Sequence, residues 1–329
     1  DANVHVNLGT ALEHKGDLDG AITEYRTALR LNPKDANVHV DLGNAFERKG
    51  DHDGAITEYR TALGLNPNLE AVHYNLGDAL EHKGDPDGAV EEYHTALRLN
   101  PNDALAHYNL GTALARKGDL DGAIAEYRAA VRLNSDDPNA HHNLGVALAR
   151  KGDLDGAIAE YRAAIRLNPN LVEAHFNLGT ALARKGDLDG AIVEYRAALR
   201  LNPNDSLAHY NLGVAFARAG DLNRAITEYR ITLRLNPNDA SAHKNLGTAL
   251  ASKEDFEGAI TEYRTALHLN PKLVRTHYDL GLLLINQGNT SGAAKELEVF
   301  IKLAQDQPAF REDLDDAKKR LDKLTIIEE

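Results

Sequence analysis

The dipeptide Leu-Gly returns every 34 residues, at Leu8-Gly9, Leu42-Gly43, Leu76-Gly77, Leu110-Gly111, Leu144-Gly145, Leu178-Gly179, Leu212-Gly213, Leu246-Gly247 and Leu280-Gly281, without insertion or deletion. Such a period argues against one closed globular core. An array grows by adding like units, each of which touches only its neighbours. The usual division of a 329-residue chain into two or three domains therefore does not apply. A polar residue precedes every Leu-Gly, Asn at seven of the nine copies and Asp at Asp41 and Asp279.

The first copy gives the local plan. Asp1 and its counterpart Asp35 read as N-caps, whose carboxylates accept the free amide hydrogens of a helix start. Val4, Leu8, Ala11 and Leu12 then recur on one helical face. Gly16 ends that helix, because a left-handed C-terminal residue costs glycine little. Asp17 caps a second helix with Ala21, Ile22, Tyr25, Ala28 and Leu29 on its apolar face, and Asn32-Pro33 stops it. Eight copies keep this plan to about Asn270, although Glu254 replaces the turn glycine in the eighth.

The ninth unit loses its Tyr at Leu297 and its Pro at Gln305. Residues 1–305 are thus predicted to form the array, and residues 306–329 a capping helix and tail. The cap spans about 310–324, with Leu314, Ala317, Leu321 and Leu324 on one side and Glu312, Asp315, Asp316, Lys319 and Lys323 on the other. No equivalent cap precedes the first helix, whose apolar edge is expected to be open. The chain lacks methionine and opens at a repeat boundary, which reads as a segment cut from something longer.

Leu-Gly, a central Ala, an aromatic four residues later and a late Pro, as in Leu178-Gly179, Ala191, Tyr195 and Pro203, resemble the tetratricopeptide repeat. Histidine stands where that family often has Trp, from His5 through His277. The resemblance implies an all-α, right-handed α-solenoid of nine helix-turn-helix repeats. First helices would line a concave groove and second helices the outer wall.

Within each first helix one stripe stays polar between buried faces. It reads Leu105, Asn109, Thr112, Arg116 in the fourth repeat and Glu173, Asn177, Thr180, Arg184 in the sixth. Stacked helices lie about 8–10 Å apart, so Asn7, Asn75, Asn109, Asn143, Asn177, Asn211 and Asn245 become a ladder. An amide both donates to and accepts from a peptide backbone, so a ladder can hold an extended chain whatever its side chains. The row is similar to the asparagine ladder in the repeat domain of O-linked N-acetylglucosamine transferases, which implies the same backbone-holding role. The alternative is that each Asn bonds the neighbouring helix and sets repeat spacing.

A second row carries charge. Arg116, Arg150, Arg184 and Arg218 succeed His14, Arg48 and His82, while Glu13, Glu47 and Glu81 give way to Ala115, Ala149, Ala183 and Ala217. The middle of the groove is therefore expected to be basic and to suit acidic side chains, unless these arginines pair with acids nearby. The carboxylate clamp of chaperone-binding family members wants Lys and Arg where this ladder has Asn, so that specificity does not transfer.

The net charge of −13 argues against nucleic acid or an anionic membrane as partner. No apolar run of about 18 residues exists. With no cysteine, disulfides and thiolate metal sites are excluded. The nine histidines come one per helix, about 10 Å apart, too far to share a zinc ion. They read as packing residues, and the charges of the Glu-Tyr-Arg triplets as facing solvent or the next repeat. No nucleophile–base pair, phosphate loop or paired catalytic carboxylates appear. The chain is read as a non-enzymatic scaffold for a protein or peptide, needing no cofactor or metal. Self-assembly into a homo-oligomer or filament is the alternative, and the targeting arm of a larger enzyme a further one. The compartment is left open.

Overall fold

The computed structural model describes residues 1–328, with side chains through Leu324; Glu329, the end of the expected tail, lies outside the described residues. Among the described residues every regular element is helical. Two compact units divide the chain, Asp1–Leu171 and Val172–Glu329.

Unit 1 holds five helix pairs: α1 (Ala2–Lys15) with α2 (Leu18–Leu31), α3 (Ala36–Lys49) with α4 (His52–Leu65), α5 (Glu70–Lys83) with α6 (Pro86–Leu99), α7 (Ala104–Lys117) with α8 (Leu120–Leu133), and α9 (Pro138–Lys151) with α10 (Leu154–Leu167). Unit 2 holds four pairs, α11 (Val172–Lys185) with α12 (Leu188–Leu201), α13 (Ser206–Arg218) with α14 (Leu222–Leu235), α15 (Ala240–Ser252) with α16 (Phe256–Leu269), and α17 (Val274–Asn286) with α18 (Thr290–Ala304). A 3-10 turn (Pro308–Phe310) and α19 (Arg311–Glu328) follow. Each unit is a stretch of α-solenoid in which consecutive helices pack antiparallel. First helices also approach one another directly, α5 and α9 against α7 in unit 1, and α11 and α15 against α13 in unit 2.

Local chemistry sets these boundaries. Asp17 caps α2 by accepting the Gly20 amide at 2.9 Å, and Asp51 caps α4 in the same way through Gly54 at 3.0 Å. Gly118 ends α7 at φ 88°, donating to Ala115. Glu254 occupies the same left-handed seat at φ 64° without glycine's freedom, a cost of about 1 kcal/mol. Asn134 leaves the helical region at φ −136° and closes α8.

The glycine of each Leu-Gly has a packing cause. A Cβ on Gly111 would lie 2.9 Å from the Tyr127 ring, and one on Gly43 would lie 2.6 Å from Tyr59. Second-helix tyrosines therefore seat on bare first-helix backbone, where they are almost wholly buried. Each ring removed from water contributes roughly 2 kcal/mol. In the ninth repeat Leu297 takes the tyrosine's seat against Gly281.

At the C-terminal end α19 packs on α18 through Ala317 and Leu324, both buried. The helix starts one residue later than expected and runs on to Glu328. One residue of its expected polar side is corrected. Asp316 is half-buried and accepts a hydrogen bond from the Tyr278 hydroxyl at 2.7 Å, because α19 lies against the ninth first helix as another repeat would. Asp313 likewise pairs with Arg275. At the other end of the chain, Val4 and Leu8 on α1 are 60% and 44% exposed, whereas Leu42 and its later counterparts are buried.

Candidate peptide-binding face

Within each unit the polar stripe of each first helix lies on the face that the first helices form. Asn7 is exposed; Asn75, Asn109, Asn143, Asn177, Asn211 and Asn245 are half-buried; Arg116, Arg150, Arg184 and Arg218 are exposed. Two hollows open between adjacent stripes in unit 1. One of about 390 Å³ is bordered by Asn44, Arg48, Asn75, Asp78 and His82. The other, about 240 Å³, is bordered by Thr112, Arg116, Asn143, Val146 and Arg150. Val146 makes that rung partly apolar, a departure from the expected polar run. A cleft of about 760 Å³ in unit 2, lined by Ile192, Arg196, Phe216 and Arg224, contains none of the stripe residues.

Four of the asparagines point their nitrogens backwards along the chain. Asn109 Nδ2 donates to the Tyr74 hydroxyl at 2.8 Å and to the Asp78 carboxylate at 3.0 Å. A carboxylate only accepts, so this contact fixes which end of the amide is which. Asn143 donates to Tyr108 at 2.9 Å, Asn245 to Tyr210 at 3.0 Å, and Asn75 to Asn44 at 3.1 Å. Each such bond crosses to the preceding repeat and is worth about 1 kcal/mol. The amide hydrogens thus bridge adjacent repeats. Among the described residues the Oδ1 atoms of Asn75, Asn109 and Asn245 accept no hydrogen bond, which leaves an acceptor at each of these rungs.

The charged row splits. Arg48 pairs with Glu13 at 2.6 Å, His82 with Glu47 at 2.8 Å, and Arg116 with Glu81. Arg116 is therefore corrected from an open cation to a paired one. Its partner comes from the previous repeat, where glutamate stands in place of alanine. At Arg150 and Arg218 that alanine leaves only a backbone carbonyl, Ala115 O at 3.3 Å and Ala183 O at 3.0 Å. A guanidinium carries five donors, so both keep most of theirs for something else.

Two features escaped the sequence reading. Tyr74, Tyr108 and Tyr210 immediately precede ladder asparagines and supply the hydroxyls that the next repeat's amides meet. Their recurrence beside Asn was the available signal. Burial raises the hydroxyls of Tyr108 and Tyr210 above their ordinary value, which keeps them protonated. From below, the second-helix tyrosines reach the stripe floor: Tyr93 donates to Asp78 at 2.6 Å and Tyr127 to Thr112 at 3.1 Å. Burial also raises Asp41 in the second repeat, with Glu13 and Asp35 adding to it.

The histidine row acts within repeats, and the glutamates of the Glu-Tyr-Arg triplets, expected to face solvent or the next repeat, are corrected to partners within their own repeat. His39 Nδ1 meets Glu58 at 2.6 Å and His209 meets Glu228 at 2.6 Å, tying each first helix to its own second helix. Nε2 reaches back to the link, as His73 does to the Pro67 carbonyl at 3.0 Å. No spacing rule marks this pairing, because the partners lie 19 residues apart on different helices. At His277 burial works against the charged ring, but the bonds to Glu296 and the Pro271 carbonyl outweigh it and raise the imidazole above its usual value. Two histidines outside the row, His52 and His82, converge on Glu47.

A tetratricopeptide repeat model matches residues 74–138, 210–274 and 244–308, and a second model, TPR repeat, matches 9–50, 44–84, 147–186 and 179–220. The chain belongs to the tetratricopeptide repeat family. Tetratricopeptide arrays are in general non-catalytic scaffolds for protein–protein interaction. YrrB, described as a TPR protein with an unusual peptide-binding site, is 25% identical over 60% of this chain and 97% of its own, with a TM-score of 0.52. The C-terminal part of a repeat protein from Cytophaga hutchinsonii is 17% identical over 73% of this chain and 99% of its own, with a TM-score of 0.63. MamA of Desulfovibrio magneticus is 24% identical over 52% of this chain and 96% of its own, with a TM-score of 0.50. The last two show the fold alone. No curated protein matches this tetratricopeptide chain significantly. No helix among the described residues is long and apolar enough to cross a membrane.

Proposed function

We propose that this tetratricopeptide array is a non-enzymatic scaffold that holds extended, acidic peptide segments along the first-helix face of each unit. The observation that carries this reading is the paired change from Glu81 facing Arg116 to Ala115 facing Arg150, repeated as Ala183 facing Arg218. Arg150 in unit 1 and Arg218 in unit 2 keep donors for carboxylates of a guest, and Arg184 adds a further guanidinium in unit 2. The Oδ1 atoms of Asn75, Asn109 and Asn245 accept backbone amide hydrogens of the guest, which demands no particular side chain. The peptide-binding site of YrrB supports the general mode.

The test rebuilds the pattern of the first repeats. In Ala115→Glu plus Ala183→Glu, both arginines gain the partner that Arg48 already has. Fluorescence anisotropy with labelled acidic, neutral and basic peptides of equal length is expected to show preference for the acidic one. The double variant is expected to weaken that binding about tenfold, or 1.4 kcal/mol. Equal affinity in wild type and variant overturns the reading.

A further inference from the structure

Glu47, His52 and His82 come from three repeat positions that the chain mostly fills with other residues. Leu18, Leu120, Leu154, Leu188 and Leu222 stand where His52 does, and Arg48, Arg116, Arg150, Arg184 and Arg218 where His82 does. Glu47 lies in the last turn of α3, His52 opens α4, and His82 lies in the last turn of α5. The departures meet at one point. His52 Nδ1 lies 3.1 and 3.0 Å from the two oxygens of Glu47, and His82 Nδ1 lies 2.8 Å from one of them. The two rings stack with centroids 5.0 Å apart and planes 28° apart. One ligand atom from each side chain falls within 4.8 Å of the others.

We propose that Glu47, His52 and His82 bind one divalent transition-metal ion of the zinc class. Two imidazoles and a carboxylate form a nitrogen–oxygen donor set. That set suits zinc, cobalt, nickel or copper and is poor for calcium or magnesium, which want oxygen throughout. Zinc bonds of about 2.0–2.2 Å place tetrahedral ligand atoms roughly 3.4 Å apart. His82, with its side chain 61% exposed, has room to turn to that spacing. On binding, each ring carries its proton on Nε2, so that Nδ1 offers a lone pair to the metal in place of a hydrogen bond to Glu47. A fourth position stays open to water or another donor. The nearby Arg48 cation is directed to Glu13, which lowers its opposition to a second positive charge. Because α3 and α4 belong to one repeat and α5 to the next, the ion also fastens two repeats together.

The full chain, stripped with a chelator, is titrated with zinc chloride by calorimetry in a non-coordinating buffer, and with cobalt chloride by visible absorption. One saturable ion per chain is expected, with cobalt bands of low coordination number and a raised Tm. His52→Leu and His82→Arg install residues that other repeats carry at these positions, so the fold is kept, as circular dichroism will check. Each is expected to weaken zinc binding at least about tenfold. Glu47→Gln gives a third reading should either histidine variant misfold. Zinc binding that is equal in wild type and in the variants means adventitious capture by the remaining histidines and overturns the proposal.

Discussion

The first three repeats and the four that follow set a basic side chain at the same place on the same kind of helix, yet that side chain meets different surroundings. In the first stretch Glu13, Glu47 and Glu81 meet Arg48, His82 and Arg116 across each repeat boundary. In the later stretch Arg150 and Arg218 find only alanine carbonyls. The backbone has not changed. A carboxylate has been deleted one helix away from the arginine that it would otherwise occupy. In an array, surface chemistry is thus set by residue pairs about 35 positions apart, while the fold is set by residues within one repeat.

The comparison holds only if the two stretches are architecturally alike, and the largest expected effect tests that. Gly43→Ala and Gly111→Ala each drive a methyl group into a buried tyrosine ring, at 2.6 and 2.9 Å. Both should lose about 2 kcal/mol in urea unfolding. Clearly unequal losses would break the equivalence. Next comes Glu254, the one non-glycine residue at positive φ among the described residues. Glu254→Gly is expected to add about 1 kcal/mol of stability, read from the same urea curves. No gain would mean that Glu254 has a compensating contact.

These two effects show how the fold was legible and the site only partly so. Leu-Gly, the capping aspartates and the proline links act within a few residues, so spacing alone located the helices to within about a residue or two. The tyrosine against glycine could be read as well, since Leu297 marks where the ring is lost. The ladder was visible as a row of asparagines, but its polarity was not. Whether Asn109 faces a guest or the previous repeat depends on Tyr74 and Asp78, which reach it only after two repeats have stacked. Arg116 was misplaced for the same reason, because its glutamate lies 35 residues earlier.

The third prediction moves one boundary from the first class to the second. Glu81→Ala releases Arg116 and should raise affinity for an acidic peptide by up to about fivefold, the worth of an ion pair whose arginine end is exposed. Unchanged affinity would show that pairing does not govern the row. The smallest effect concerns pH. His277 is held above its ordinary value of 6.5, so the native state keeps its proton more tightly than the unfolded chain does. Its contribution to stability is complete below pH 6.5 and fades as pH rises through the native value. An NMR titration should place the His277 midpoint above 6.5, and a midpoint at or below it would refute the assignment.

The relay from Tyr93 through Asp78 to Asn109 has a mechanical consequence. It begins in the buried wall of one repeat and ends on the open face of the next, so peeling those repeats apart breaks a polar chain along with apolar contacts. In a one-dimensional stack the seams decide how far a local opening spreads. A seam riveted from core to face makes fraying run in blocks of several repeats. A guest lying across these rungs would then register as a stiffer spring under load, even where it touches nothing beyond the outermost atoms of the asparagines.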